Sequence, residues 1–251
     1  MHRWVAVACG LCAWLLLAGS SLAQDQECRA VIAKAMKAVG GEDRLAKIKA
    51  THTKGKGVLN FMGMDLELTL ETFSQPPDKI RVVLDLNINN MNIQILQVFN
   101  GPKGWVNVMG NTVDLDADTI KQVKEATHSE KVTNLVALKD KEYKLSTLGE
   151  VKVGDHQTVG IQVSRKGYQD VSLYFDKKSH LLVKSESRAY DQFSKQEVNQ
   201  EKLYSEYKEL IPGLKVASKM VINNDGKKLM DLTITEVQPV ERHDDSMFTK
   251  P

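Results

Sequence analysis

The chain has 251 residues, with 34 Lys+Arg against 32 Asp+Glu and a formal net charge of +2. Charges of both signs are interspersed, and Lys54, Lys56, Lys152, Arg165 and Lys166 are each followed closely by neutral or acidic residues. Nothing in that distribution argues for a polyanion as partner or for the basic, aromatic-studded surface that nucleic-acid binding uses.

The N-terminus reads as an export signal. Arg3 precedes the apolar run from Trp4 to Leu17, and Ser21-Leu22-Ala23 puts small residues where a signal peptidase reads. The expectation is a signal peptide over residues 1–23 and one mature domain over residues 24–251, secreted across the inner membrane into the periplasm. The run is short against the roughly 20 apolar residues a membrane-spanning helix needs. Cleavage would remove Cys9 and Cys12 and leave Cys28 as the single thiol, so the mature chain can form no internal disulfide. Its stability must then come from its core.

Cys28, Val31, Ile32, Ala35, Met36 and Val39 recur at helical spacing, with Asp25 as the expected N-cap and Gly40-Gly41 as the stop. From Thr51 the period changes to two. Met64, Leu66, Leu68 and Leu70 alternate with polar residues after a hairpin entry at Phe61-Met62-Gly63, and Ile80, Val82, Leu84 and Leu86 do the same beyond the break at Pro76-Pro77-Asp78. Ile93 and Ile95 continue the pattern after Asn89-Asn90. Two turns, Asn100 to Gly104 and Gly110-Asn111, bracket Trp105 to Val108, and Val113 and Leu115 follow.

Asp116 to Leu138 reverts to a helical or mixed pattern, read as two short helices or one interrupted at His128-Ser129-Glu130. Strands resume around Val159 to Val163, Val171 to Phe175, from Leu181, and over Glu197 to Glu209, Val216 to Ile222 and Lys228 to Val237. Asn223 to Gly226 forms the last hairpin turn. The expected fold is mainly β (α+β): about ten antiparallel strands in a curved, unclosed barrel, with an N-terminal helix and a mid-chain helical lid.

Catalytic signatures are missing. There is no Gly-x-Ser-x-Gly elbow, His-Glu-x-x-His, phosphate-cradling glycine loop or cysteine pair at metal spacing. His52, His128, His156, His180 and His243 are scattered and read as surface histidines. Asp114, Asp116 and Asp118 lack the glycine and terminal glutamate of a calcium loop, and Asp116 or Asp118 reads as the cap of the helix that follows. A hydrolase with paired carboxylates from distant strands has no positive support. The expectation is a non-catalytic protein with no metal and no cofactor. Phe61, Met62, Met64, Phe73, Met91, Phe99, Trp105 and Met109 can line a cavity for lipid chains, since methionine adapts to irregular apolar shapes, or can form an ordinary core.

Three stretches carry a resemblance: Lys54-Gly55-Lys56-Gly57, Phe73 to Val82 with its Pro76-Pro77-Asp78-Lys79-Ile80-Arg81, and Phe99-Asn100-Gly101-Pro102-Lys103-Gly104-Trp105-Val106. Together with the signal and the amphipathic helix they resemble the periplasmic outer-membrane lipoprotein carriers and receptors of the LolA/LolB type. The stretches from Lys139 to Val153 and Val163 to Glu186 look like exported relatives of the planctomycete type. The resemblance implies an unclosed barrel with a helical lid over an apolar cavity that holds acyl chains. Where those carriers have an arginine before the proline this chain has Gln75, and where they often have an aromatic before Arg81 it has Ile80.

The expected function is an exported binding protein that shields acyl chains or another apolar ligand in the cell envelope, as in lipoprotein sorting. Its partners would be that ligand, a lipoprotein or envelope protein, and a membrane in transient contact. Leu66, Leu68, Ile80, Val82, Leu84, Ile93, Ile95 and Trp105 are the expected ligand-binding residues of the inner face. The alternative is a structural or sensory envelope module that binds a protein and fills that face with its own side chains.

Overall fold

The computed structural model describes residues 12–88, 91–191 and 194–251, with side chains from residue 24 onward. The expected start of the signal, residues 1–11, lies outside them. Helix α1 (Cys12–Ala38) and the short α2 (Glu42–Ala46) precede six strands, β1 (Ala50–Phe61), β2 (Met64–Gln75), β3 (Lys79–Ile88), β4 (Met91–Asn100), β5 (Lys103–Val108) and β6 (Asn111–Asp114). Helix α3 (Ala117–Thr133) and a 3₁₀ turn (Val136–Lys139) then lead to β7 (Lys144–Val153), β8 (His156–Ser164), β9 (Val171–Asp176), β10 (Leu182–Asp191), β11 (Gln196–Ile211), β12 (Leu214–Asn224) and β13 (Lys227–Val240). A 3₁₀ turn at Asp245–Phe248 closes the chain.

All the strands join one antiparallel sheet of thirteen, in the order β6-β5-β4-β3-β2-β1-β13-β12-β11-β10-β9-β8-β7. Two meanders are thus joined where the first strand meets the last, and the curved sheet does not close. Its free edges are β6 and β7, and α3 is the segment that crosses between them.

The expected count of about ten strands is corrected to thirteen among the described residues. The clearest omission is β7. A bulge between Thr147 and Gly149 shifts its register, so Leu145 and Leu148 fall out of the period-two pattern by which a strand is recognised.

Two helix expectations also change. Asp25 does not cap α1, because the helix spans Cys12–Ala38 and runs through the expected cleavage region. Its carboxylate instead takes a 2.6 Å hydrogen bond from Arg29 Nε and a 3.3 Å bond from the Leu145 amide. The mid-chain segment is one α-helix, unbroken from Ala117 to Thr133, followed by the 3₁₀ turn, and it is capped as expected by Asp116, whose Oδ1 accepts from the Thr119 amide at 2.7 Å. His128 and Ser129 do not interrupt it, because both are buried where the helix packs.

Antiparallel partners point to the same side of a sheet, so the register defines two faces. Leu68↔Leu86, Leu70↔Leu84, Leu84↔Ile95, Leu86↔Ile93, Gly57↔Leu232 and Met220↔Leu232 put one continuous apolar face on β1–β4, β12 and β13. This inner face continues through Tyr204 to Ile161, Val163, Leu173 and Phe175. Gly57 permits the tight coiling between the two meanders: a Cβ there would lie 2.1 Å from the carbonyl oxygen of Asp231.

The main core sits on the β7–β10 half. Cys28, Ile32, Ala35 and Met36 of α1, with Val132, Leu135 and Leu138 from α3 and the segment after it, bury Ile161, Val163, Val171, Leu173 and Phe175. Cys28 packs as expected, and burial pushes its thiol pKa up. A second cluster on the same face centres on Leu59, Leu66, Leu68, Leu86 and Leu232. A third lies on the opposite face. There Phe248 packs on Val98 and Trp105.

Candidate functional site

The helices pack chiefly on β7, β9 and β10, so the inner face is covered unevenly. Around α1 and the end of α3 it is sealed. Along β3 and β4 it is not: Ile80, Val82, Leu84, Ile93 and Ile95 remain half-buried, and so does Leu70 beside them. These side chains form an apolar wall that the helices leave only partly covered. From Ile80 to Ile88 the wall runs about 26 Å at the usual rise of a strand.

Of the expected inner-face residues, the structure brings Leu66, Leu68, Ile80, Val82, Leu84, Ile93 and Ile95 onto this one wall. Trp105 is corrected. It pairs with Val98, out of phase with the Ile95↔Val108 pair, and so points to the outer face under Phe248. The glycines flanking its strand gave no parity signal by which sequence could place it. Phe73 also faces outward, stacked on His52 at 4.2 Å between ring centroids.

The methionines expected to line a cavity sit elsewhere. The β1–β2, β3–β4 and β5–β6 hairpins turn at the same end of the sheet, and Met62, Met64, Met91 and Met109 are exposed on their tips. Met62 is 85% and Met109 73% exposed. Both have φ of 52° and precede a positive-φ glycine, a turn geometry in which asparagine or aspartate is normally preferred. The adjacent β12–β13 hairpin follows that preference with Asp225-Gly226. Tip methionines thus hold positions that turn chemistry alone does not favour. Sequence reasoning saw these residues but not their common rim, which only the strand order reveals.

At the other end of the wall α3 closes over the sheet. A Cβ on Gly104 would lie 2.7 Å from Ile120 Cδ1, so the helix meets β5 without an intervening side chain. Beside it a cleft of about 380 Å³ lies between α3, the Pro77-Asp78 turn and the β8–β9 loop. Ile80 and Phe99 give it an apolar floor, and Lys124, Lys131 and Arg165 give it three cations against the single carboxylate of Asp78. His128 lines it too, stacked on Tyr168 at 4.1 Å and parallel to Tyr143 at 5.8 Å. Burial, with Arg165 and Lys131 nearby, pushes the His128 pKa down to about 4, so the ring is neutral at ordinary pH.

Two other concavities lie among the described residues. A smaller one of about 220 Å³ lies near α1 and α2, and Met220 and Ile234 join it to the apolar wall. A broad groove of about 900 Å³ lies on the outer face, lined by Lys56, Glu67, Asp85 and Asp231. Its mixed charges suit water rather than an apolar guest.

No family model matches the chain, and no curated protein matches it. Solved structures do. A DUF1329 family protein from Desulfovibrio piger superposes with a TM-score of 0.54 at 13% identity, over 88% of this chain and 97% of that one. A LolA superfamily protein from Nitrosomonas europaea gives 0.52 at 12% identity, over 89% and 97%. An outer membrane lipoprotein-sorting protein domain from Vibrio parahaemolyticus gives 0.50 at 14% identity, over 82% and 93%.

The chain therefore has the LolA-like fold, a curved antiparallel sheet left open and crossed by a helix. At these identities the likeness concerns architecture, since one fold hosts many functions.

Proposed function

We propose that this chain is an exported, non-catalytic binding protein of the cell envelope that shields acyl chains in transit, as a lipoprotein-sorting carrier would. The observation that carries this reading is the partly uncovered wall of Ile80, Val82, Leu84, Ile93 and Ile95, with the buried Leu66 and Leu68 beside it on the same face. A core that needed only its own helices would leave no such strip half-buried. The rival reading, a module filled by its own side chains, fits the β7–β10 half alone.

In this proposal residues 1–23 are removed on export and residues 24–251 act as one unit in the periplasm. Ligand affinity comes from apolar area withdrawn from water, at roughly 25 cal/mol per Å². The methionine rim stands at the open end of the wall, because Phe61↔Met64 and Ile88↔Met91 are its last inner-face pairs. It is where the protein would touch a membrane while cargo moves, since flexible thioethers conform to disordered apolar surfaces.

Native mass spectrometry and solvent extraction of the protein purified from the periplasm test the reading. Bound acyl-chain lipid is expected, and a Leu84→Glu variant should carry much less. A native protein that is consistently empty and takes up no lipid in vitro would overturn it.

A further inference from the structure

The carrier reading leaves open which amphiphiles are accepted, and the inference here rests on that reading. We infer that the cleft beside α3 is a head-group site for an anionic amphiphile, a carboxylate or a phosphate, whose chain lies along the β3–β4 wall.

Four observations meet in this place. First, the cleft and the wall are continuous: Ile80 and Phe99 face each other across β3 and β4 on the inner face and also form the cleft floor. Second, the inner face changes character along its length. Leu68, Leu70, Leu84 and Leu86 occupy its middle, whereas Thr72 and Ser74 stand opposite Val82 and Ile80 toward the cleft. A chain would therefore lie toward the methionine rim and its head toward α3.

Third, two of the cleft cations are unpaired. Lys124 and Lys131 are seven residues apart on α3, and neither has an ion-pair partner among the described residues. Arg165 is committed to Glu142, which accepts from its Nε at 3.1 Å, so it contributes field more than a free donor. Fourth, His128 is only 4% exposed, and its Nε2 has no hydrogen-bond partner. An unpartnered buried polar atom is destabilising unless something completes it, and a neutral imidazole can donate one hydrogen bond to an anion without adding charge. Two ammonium groups with an imidazole between them along α3, over an apolar floor, make a site complementary to an anionic head on an apolar chain.

The test uses the lipid-stripped exported protein and displacement of the uncharged fluorescent probe N-phenylnaphthylamine. The competitors are hexadecanoate, hexadecyl phosphate and hexadecanol, which share one chain length and differ in the head. We expect the two anions to compete about tenfold better than the alcohol, as a charge-assisted hydrogen bond would give. The ratio between them tells a carboxylate site from a phosphate site. The Lys124→Gln/Lys131→Gln variant should lose the preference and still bind probe and hexadecanol. The Lys227→Gln/Lys228→Gln variant, with the same change of net charge on the β12–β13 hairpin, should keep it.

Equal competition by all three ligands would overturn the head-group site and leave the carrier reading standing. So would a preference that the α3 variant retains or that the hairpin variant also loses. Failure of the wild type to bind the probe or any of the three ligands would overturn both.

Discussion

Lys202 of β11 donates to the carboxylate of Glu130 on α3, and this ion pair ties the crossing helix to the inner wall. The partners are unequal: the Lys202 side chain is 12% exposed and that of Glu130 58%. Burial works against the ammonium charge, yet the Glu130 carboxylate outweighs it and holds the lysine pKa above its ordinary value. Glu130→Gln would strand a charge in the wall, whereas Lys202→Met removes charge and partner need together. The first should cost about 1–3 kcal/mol and the second less, because the uncompensated charge is what destabilises. Urea denaturation of the two variants checks the order, and equal losses would contradict it.

Trp105 makes a prediction of the opposite kind. Its ring packs with Val98 and the fully buried Phe248 on the outer face. Arg81 donates to the Met247 carbonyl at 3.2 Å, Asn100 donates to the Phe248 carbonyl at 3.2 Å, and Gln75 accepts from the His243 amide at 2.9 Å. The C-terminal turn is thereby fixed over β3 and β4 from behind. Phe248→Ala should destabilise by about 3–5 kcal/mol, as an emptied aromatic site does. Under native conditions it should leave N-phenylnaphthylamine affinity unchanged, because the ligand wall is on the other side. A fall in affinity without unfolding would place Trp105 in the site after all.

The methionine rim allows stability and membrane contact to be moved in opposite directions. Replacing Met62 and Met109 by Asn restores the residue that a left-handed turn position before glycine prefers. The Met62→Asn/Met109→Asn variant should melt higher than wild type, by an increment worth about 0.5–1 kcal/mol. It should sediment less with phospholipid vesicles. If vesicle binding is unchanged while the melting temperature rises, the rim does not touch lipid.

The resemblance carried by Pro76 to Arg81 and Asn100 to Trp105 gave the architecture, because those residues form the β2–β3 and β4–β5 turns on which the first meander depends. Period-two alternation placed Leu66 to Leu70 and Ile80 to Leu86 without ambiguity. It failed where parity was broken, at the Gly149 bulge in β7, and where glycine diluted it, around Trp105. The cleft was illegible for a different reason. Ile80, Lys124, His128 and Arg165 come from β3, α3 and the β8–β9 loop, and no spacing rule joins segments that meet only when α3 crosses the open side of the sheet. His128 even counted against its helix, since a polar residue in an apolar stripe reads as an interruption until Tyr143 and Tyr168 are seen around it.

His128 also sets a pH limit. Its pKa falls from 6.5 in the unfolded chain to about 4 in the fold, through burial first and then the charges of Arg165 and Lys131. Between those values the unfolded chain binds more protons than the native one, so acid favours unfolding. The contribution is fully present above pH 6.5, declines as pH falls toward 4, and has no further slope below that. The slope within the window is at most about 1.4 kcal/mol per pH unit. Below it Asp176 takes over: burial opposes its charge, but hydrogen bonds from Ser179 and His156 hold its pKa at about 2. His128→Phe preserves an aromatic ring against Tyr168 and removes the titration. Urea midpoints from pH 7 to pH 3.5 should therefore fall through the upper window in the wild type and stay flatter there in the variant. Parallel curves for the two proteins would mean that His128 is not the group responsible.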